Sequence, residues 1–202
     1  MLNQLDDYQG RIQWNQTELR ELSSSAVLDK GILVNTKDFL YAESIRNNLL
    51  LANPQLTDDE LWHLLDQVKL SAFVGQLPEQ LDTVLEENGK NLSGGQRQRL
   101  ILARALATSA ELYIFDEITS GVDIESEEII LETLKALAKQ AIVIFVSHRL
   151  YNVLAADQIY VFKDGRIVEA GTPQELEQTS DYFNAYFTEE NRQMRGASDH
   201  EG

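Results

Sequence analysis

The sequence predicts an α/β fold, a parallel sheet flanked by helices, and three observations carry that prediction. Leu112-Tyr113-Ile114-Phe115 is a short apolar run with aromatic and β-branched residues and reads as a buried parallel strand. A second apolar run covers residues 141–146, and segments with helical spacing and capping residues lie between and around the two. In such folds ligands sit at the carboxyl ends of the strands. Those ends carry Asp116-Glu117 and Ser147-His148-Arg149.

The chain has 202 residues, 43% hydrophobic and 25% charged, enough for one sizeable domain with its own core. A net charge of -16 argues against nucleic acid as a partner, because a phosphate backbone calls for a basic face. No window reaches the roughly 18 apolar residues that a membrane span needs, so direct membrane insertion is not expected. The N-terminus lacks the basic-then-apolar pattern of a signal peptide. The absence of cysteine excludes disulfides and thiolate metal sites and fits a cytosolic chain. His63, His148 and His200 are too scattered to suggest a metal cluster.

Residues 1–30 are polar and mixed, with a short strand expected at Gly10-Arg11-Ile12-Gln13-Trp14. Gly31-Ile32-Leu33-Val34 reads as a short buried strand, and residues 44–51 as a short helix. Thr57-Asp58-Asp59-Glu60 is a capping box ahead of Leu61, Leu64, Leu65 and Val68, an amphipathic helix with its stripe in the core. Trp62 and His63 lie off that stripe and are expected at the surface. Residues 76–91 read as loop, with Pro78, Gly89 and a run of acids. A helix over 124–140 carries the core stripe Ile130, Leu134 and Leu137 and a Glu-rich exposed face. Residues 159–168 read as a hairpin turning at Asp164-Gly165. Thr172-Pro173-Gln174-Glu175 opens a last helix, with Pro at its first position and Glu at its third. Tyr182, Phe183, Tyr186 and Phe187 cluster on one side, a docking surface in character, and from Glu189 the tail is polar and expected to lack fixed structure.

The organising stretch is Leu92-Ser93-Gly94-Gly95-Gln96-Arg97-Gln98-Arg99. Ser93 is a good N-cap for a helix whose apolar positions are Leu100, Ile101, Ala103 and Leu106. Two glycines in the first turn leave nothing between the unpaired backbone N–H groups and an approaching anion, and the helix dipole adds about half a positive charge. With the Ser93 hydroxyl this is a phosphate-binding surface. Taken alone, a Ser-capped helix after a Gly-rich turn explains it equally well.

Leu92-Ser93-Gly94-Gly95-Gln96 resembles the signature motif of ATP-binding cassette (ABC) ATPases. Phe115-Asp116-Glu117 is similar to their Walker B strand end, Ser120-Gly121-Val122-Asp123 to their D-loop, and Ser147-His148-Arg149 to their switch histidine. The four motifs stand in the family's order and at its spacing, and the resemblance runs from about Gly10 to Phe187. It implies a P-loop NTPase-like sheet with an α-helical signature subdomain at 37–106, a partial ATPase core lobe at 1–36 and 107–188, and a polar tail at 189–202. It also implies ATP and Mg²⁺ as cofactors.

Phosphoryl transfer from ATP needs charge neutralisation, an oriented water and an acceptor for its proton. By the resemblance, Asp116 would hold Mg²⁺ through water and Glu117 would be the general base. Outside that context an Asp-Glu pair after a strand is more readily a helix cap or a solvated turn. His148 would contact the γ-phosphate. Asp123 would lie at a dimer seam while also able to N-cap the helix after it. Ser93, Gly94, Gly95 and Gln96 would close over the ATP of a second cassette, giving a head-to-tail dimer with ATP between the subunits. In the family's Q-loop, Gln stands where this chain has Thr36, which is too short to reach as far; a register one residue earlier puts Asn35 there instead. Residues 39–48 resemble the exporter branch, and Glu86-Glu87-Asn88-Gly89 resembles its segment near the membrane domains, though a solvated acidic loop has the same composition.

The phosphate loop G-x-x-x-x-G-K-[ST] has no match: the one Gly-Lys pair, Gly89-Lys90, is followed by Asn91, with Val84 in place of the first Gly. The family's adenine-stacking aromatic also has no counterpart. The resemblance therefore implies the C-terminal portion of a cassette whose first strands and phosphate loop are missing. Three expectations follow: weak ATP handling by the chain alone, exposed sheet edges, and an export function coupled to transmembrane domains at the cytoplasmic face of the cell membrane. Two rivals remain, a non-catalytic module that offers its signature face to an intact cassette, and an ABC ATPase without membrane partners.

Overall fold

Across the described residues, 8–180 and 183–185 of a computed structural model, the chain divides into two units, Met1–Val146 and Ser147–Gly202. In the first unit β1 (Gln13–Trp14) and β2 (Thr17–Glu18) pair antiparallel. Asn15 and Gln16 between them both take positive φ, the two-residue turn whose twist suits a hairpin. The strand expected at Gly10-Arg11-Ile12-Gln13-Trp14 is thus two residues long, and its partner carries no sequence signal. Helix α1 (Ser24–Lys30), capped by Ser23, leads into β3 (Gly31–Asn35). Gly31 is closely packed there: a Cβ would meet the Trp14 ring at 3.2 Å and Val27 O at 3.3 Å, so those neighbours would have to give by a few tenths of an ångström.

Strands β3, β4 (Leu112–Asp116) and β5 (Ile142–Val146) form a parallel sheet in that order. Register pairs Asn35 with Asp116 and Asp116 with Val146, so these three end the sheet side by side. Alternation sends Ile32, Val34, Tyr113, Phe115, Val143 and Phe145 into one core with the helices. On the alternate positions of β5, Ile142, Ile144 and Val146 are 67%, 47% and 43% exposed. Apolar composition alone would bury this strand on both faces. Among the described residues β5 is an edge of this sheet, with a strand neighbour on one side only.

The helical layer comprises α2 (Ile45–Leu50), α3 (Asp58–Gln67), α4 (Ser71–Gln76), α5 (Gly94–Leu106) and α6 (Ile124–Leu137). The Thr57–Glu60 capping box forms, and Leu61, Leu64, Leu65 and Val68 are buried as their spacing requires. Trp62 corrects the expectation of a surface position: it is half-buried against the same core, because a ring that large reaches the core from a flanking position. Within the 76–91 stretch expected as loop lie 3₁₀ turns at Gln80–Asp82 and Glu87–Gly89, and α4 just before it has no counterpart among the sequence expectations; each is too short to show a period. Fully buried Asn48 ties down the loop before α2, donating to the carbonyls of Tyr41, Glu43 and Ser44 and accepting from the Tyr41 N–H.

In the second unit, α7 (Leu150–Val153) precedes an antiparallel hairpin of β6 (Ile159–Lys163) and β7 (Arg166–Gly171). Its turn places Asp164 and Gly165 at φ of 50° and 73°, as the Asp-Gly pair demands. Helix α8 (Pro173–Thr179) opens with the expected Thr172–Glu175 capping box and Pro173. Ile159, Leu176 and Phe183 form the core of this unit. Tyr182, Tyr186, Phe187, His200 and the 189–202 tail lie outside the described residues.

Cap and ion-pair carboxylates set the acid sensitivity. Backbone N–H donors at Thr57 and Thr172 hold Glu60 and Glu175 below the ordinary 4.5, and Lys30 does the same for Glu111. Arg46 holds Asp82 below 3.8. A carboxyl lowered on folding stabilises above its unfolded value and loses that contribution as pH falls through its folded value. Acid titration followed by circular dichroism should therefore stay flat down to about pH 5 and lose native signal below about pH 4.

Candidate functional site

The signature stretch folds into the turn and first residues of α5. Ser93 takes β-region φ/ψ, its hydroxyl oxygen accepts the Gln96 N–H at 3.1 Å, and Gln96 Oε1 accepts the Ser93 N–H at 3.0 Å. This reciprocal box leaves the Ser93 O–H free to donate, since its oxygen alone is used in the cap. Gln96 is thus engaged within its own turn. The two glycines do different work. Gly94 is exposed, and a Cβ on it would meet only Gly121 O, at an ordinary 3.7 Å. Gly95 is buried, and a Cβ on it would lie 1.9 Å from Ser126 Oγ and 2.6 Å from both Ser126 Cβ and Asp123 Oδ2. Only Gly94 serves the open approach read from the sequence; Gly95 lets the mouths of α5 and α6 meet.

Asp123 takes the cap position of α6, accepting the Ser126 N–H at 2.8 Å. That N–H, then the Ser126 hydroxyl, hold its carboxyl below the ordinary value. Behind the junction, half-buried Arg99 donates to the carbonyls of Lys69 at 3.1 Å and Val68 at 3.3 Å; burial lowers its pKa from the ordinary arginine value, and the charges of Asp123 and Glu125 partly offset that.

Asp116 ends the central strand and is exposed; Glu117 follows, half-buried, with φ +56°. A left-handed glutamate is uncommon and costs about 1–2 kcal/mol. It is held there by its N–H bonding Val146 O at 3.0 Å and by its carbonyl accepting the Ser120 N–H at 3.0 Å. Buried Ile118 and Thr119 and the positive-φ Gly121 complete the turn into Asp123. Strained backbone held by its surroundings is a recurring mark of functional positions.

Asn35 sits beside Asp116 at the strand ends, its Oδ1 accepting the Lys37 N–H at 2.8 Å, whereas Thr36 is exposed one residue on. Gly89-Lys90 is no phosphate cradle: Gly89 is buried at φ +63°, and Lys90 pairs with Glu87 at 3.8 Å. His148 belongs to the second unit, exposed ahead of α7, where Ser147 Oγ accepts the Arg149 N–H at 3.0 Å. Among the described residues no three His, Cys, Asp or Glu side chains gather to hold a metal. A single strand-end carboxylate such as Asp116 fits Mg²⁺ that arrives with a nucleotide, since Mg²⁺ draws its other ligands from phosphates and water.

A family profile described as ABC transporter matches residues 1–120. The chain belongs to the ABC transporter family. An uncharacterised ABC transporter ATP-binding protein of Haemophilus influenzae is 42% identical over 168 residues, covering 83% of this chain and 30% of that protein. A candidate multidrug export ATP-binding/permease protein of Staphylococcus aureus is 36% identical over 167 residues, covering 83% and 29%. A bacterial Atm1-family ABC exporter solved with ATP bound superposes with a TM-score of 0.83 at 26% identity, over 90% of this chain and 32% of that one. The chain therefore spans about 30% of the length of these relatives. It is an exporter-like ABC nucleotide-binding domain with the family's parallel sheet flanked by helices. No helix among its described residues is long and apolar enough to cross a membrane.

Two features of this ABC cassette carried no weight in the sequence. Ser126 stands three residues after Asp123, the spacing of a capped helix, and that spacing is the signal that marks it. A cleft of about 370 Å³ lies beside the 36–41 loop, lined among others by Asp38, Phe39, Tyr41, Leu51 and Arg104. Phe39 and Tyr41 pair with ring centroids 4.7 Å apart, both about half exposed, and Arg104 Nη1 donates to Phe39 O at 2.9 Å.

Proposed function

We propose that this chain supplies the signature, Walker B and D-loop portion of a cassette whose ATP binding and hydrolysis drive export. The observation that carries the reading is Glu117, held left-handed immediately after the strand-end Asp116. In this reading Glu117 accepts the proton of the attacking water, and Asp116 holds Mg²⁺ through its waters. The metal supplies charge neutralisation at the phosphates. His148 steadies the γ-phosphate, and either Thr36 or Asn35 serves at the Q-loop. Ser93, Gly94 and Gly95, with Gln96 fixing their turn, close over nucleotide held by a second cassette in a head-to-tail dimer, and Asp123 lies at the seam. Residues 37–106 act as the signature subdomain and 1–36 with 107–188 as the core lobe. The cleft beside Phe39 and Tyr41 receives the transmembrane partner at the cytoplasmic face of the membrane, where exposed aromatic rings beside the Arg104 guanidinium suit a protein contact.

We further propose that the chain alone does not turn over ATP, because its sequence holds no G-x-x-x-x-G-K-[ST] loop whose backbone N–H groups and lysine would hold the β- and γ-phosphates. The same feature favours a second reading, a non-catalytic module presenting its signature face to an intact cassette. Calorimetry with Mg-ATP is expected to give no binding heat for the chain by itself. Clear binding would overturn the inactivity proposal. Adding the chain to an intact cassette separates the two readings: raised turnover that survives Glu117→Gln in this chain favours the module, and raised turnover abolished by it favours the catalytic role.

A further inference from the structure

The junction of the signature turn with the D-loop runs through one side chain that the functional reading does not use. Ser126 is 3% exposed. Its N–H caps onto Asp123 at 2.8 Å, and its hydroxyl stands where a Cβ of Gly95 would fall, 1.9 Å from that point. The Asp123 carboxylate lies almost as close, at 2.6 Å, and Gly121 O faces Gly94. Signature and D-loop thus meet through backbone, the Ser126 hydroxyl and the Asp123 carboxylate, with little room between them to absorb a shift. Packed contacts of this kind transmit displacement, because a close-packed interior has no void to yield into.

We propose that Ser126 is a positioning residue of the ATPase cycle, locking the D-loop carboxylate of Asp123 to the Gly94-Gly95 turn of the same chain. Engagement of one signature face then moves Asp123 at the seam, so the state of one nucleotide site is reported to the other. This rests on the composite-site reading above. Ser126 touches no nucleotide in this scheme; it acts through Gly95 and Asp123. Its hydroxyl supports the Asp123 carboxylate in its charged form, and the N–H keeps the helix capped whether or not the hydroxyl is present.

The test uses the ATP-hydrolysing assembly that contains this chain. Ser126→Ala removes the hydroxyl and keeps the capping N–H; Ser126→Cys keeps nearly the same volume with a weak donor. Both are expected to lower kcat by about 3- to 30-fold, leave KM for ATP unchanged, and bring the Hill coefficient toward one, with unfolding temperature within a few degrees of wild type. Asp123→Asn, which retains a cap acceptor, should lose as much, and the double variant no more. Activity that falls only in step with unfolding temperature, or losses that add in the double variant, would overturn the proposal. Glu117→Gln in the same assay keeps the readings apart. If it hydrolyses ATP like wild type, the ATPase reading has failed; if it is inert while Ser126→Ala behaves as wild type, only the positioning role has failed.

Discussion

Glu117→Gln is expected to cut ATP turnover by about two to four powers of ten while ATP binding and fold stability stay unchanged. The substitution keeps the size of the side chain, removes its charge and basicity, and replaces one acceptor oxygen by an amide donor. Nor does it alter backbone strain, because Gln takes a φ of +56° no more readily than Glu, and the bonds to Val146 and Ser120 are made by the main chain. Steady-state phosphate release in the intact assembly, set beside equilibrium nucleotide binding, reads both quantities. Turnover within about tenfold of wild type would remove Glu117 from the role of base. A fall in binding equal to the fall in turnover would make it a ground-state ligand instead.

Gly95→Ala is expected to destabilise the fold by about 1–3 kcal/mol, the usual cost of forcing a carbon into a filled space. Rotating the Ser126 hydroxyl relieves the 1.9 Å contact, but the Ser126 Cβ remains 2.6 Å away, so the helices themselves must part. At roughly 2–4 °C per kcal/mol for a chain of this length, thermal melting should show a drop of several degrees. Gly94→Ala is the control. Its added carbon meets only Gly121 O at 3.7 Å, so stability should hold or rise slightly, since Ala favours the helix. Its cost should appear as weaker engagement of a partner's nucleotide. Equal melting temperatures for the two variants would remove the packing role assigned to Gly95.

The legible parts of this molecule are those written in local chemistry. Capping boxes at Thr57 and Thr172 and the N-cap at Ser93 form as expected, because a hydroxyl and the free N–H groups of a first turn lie within one short segment, and Gln96 completes a box at Ser93 as well. The Asp164-Gly165 hairpin and the apolar stripe of α3 are legible for the same reason. Trp62, the open face of β5 and the one-turn helix α4 were not, because burial and short elements are decided by neighbours distant in sequence. In the candidate site, the residue types of the signature turn, Walker B end and D-loop were plain. The left-handed Glu117 and the contact of Gly95 with Ser126 were not.

By itself the sequence determined where the capped helices and the apolar strands begin, which stripe of α3 is apolar, and which residues could carry phosphate chemistry, since each follows from side-chain type and spacing along one segment. Tertiary structure alone decided that Asn35, Asp116 and Val146 end in one row, that Glu117 is bent out of the strand, and that Gly95 is occupied from the far side by Ser126. The physical reason is range. Propensity, capping and periodicity act over a few residues, whereas strand register, backbone strain and close packing are settled only when segments far apart in the chain compete for the same space.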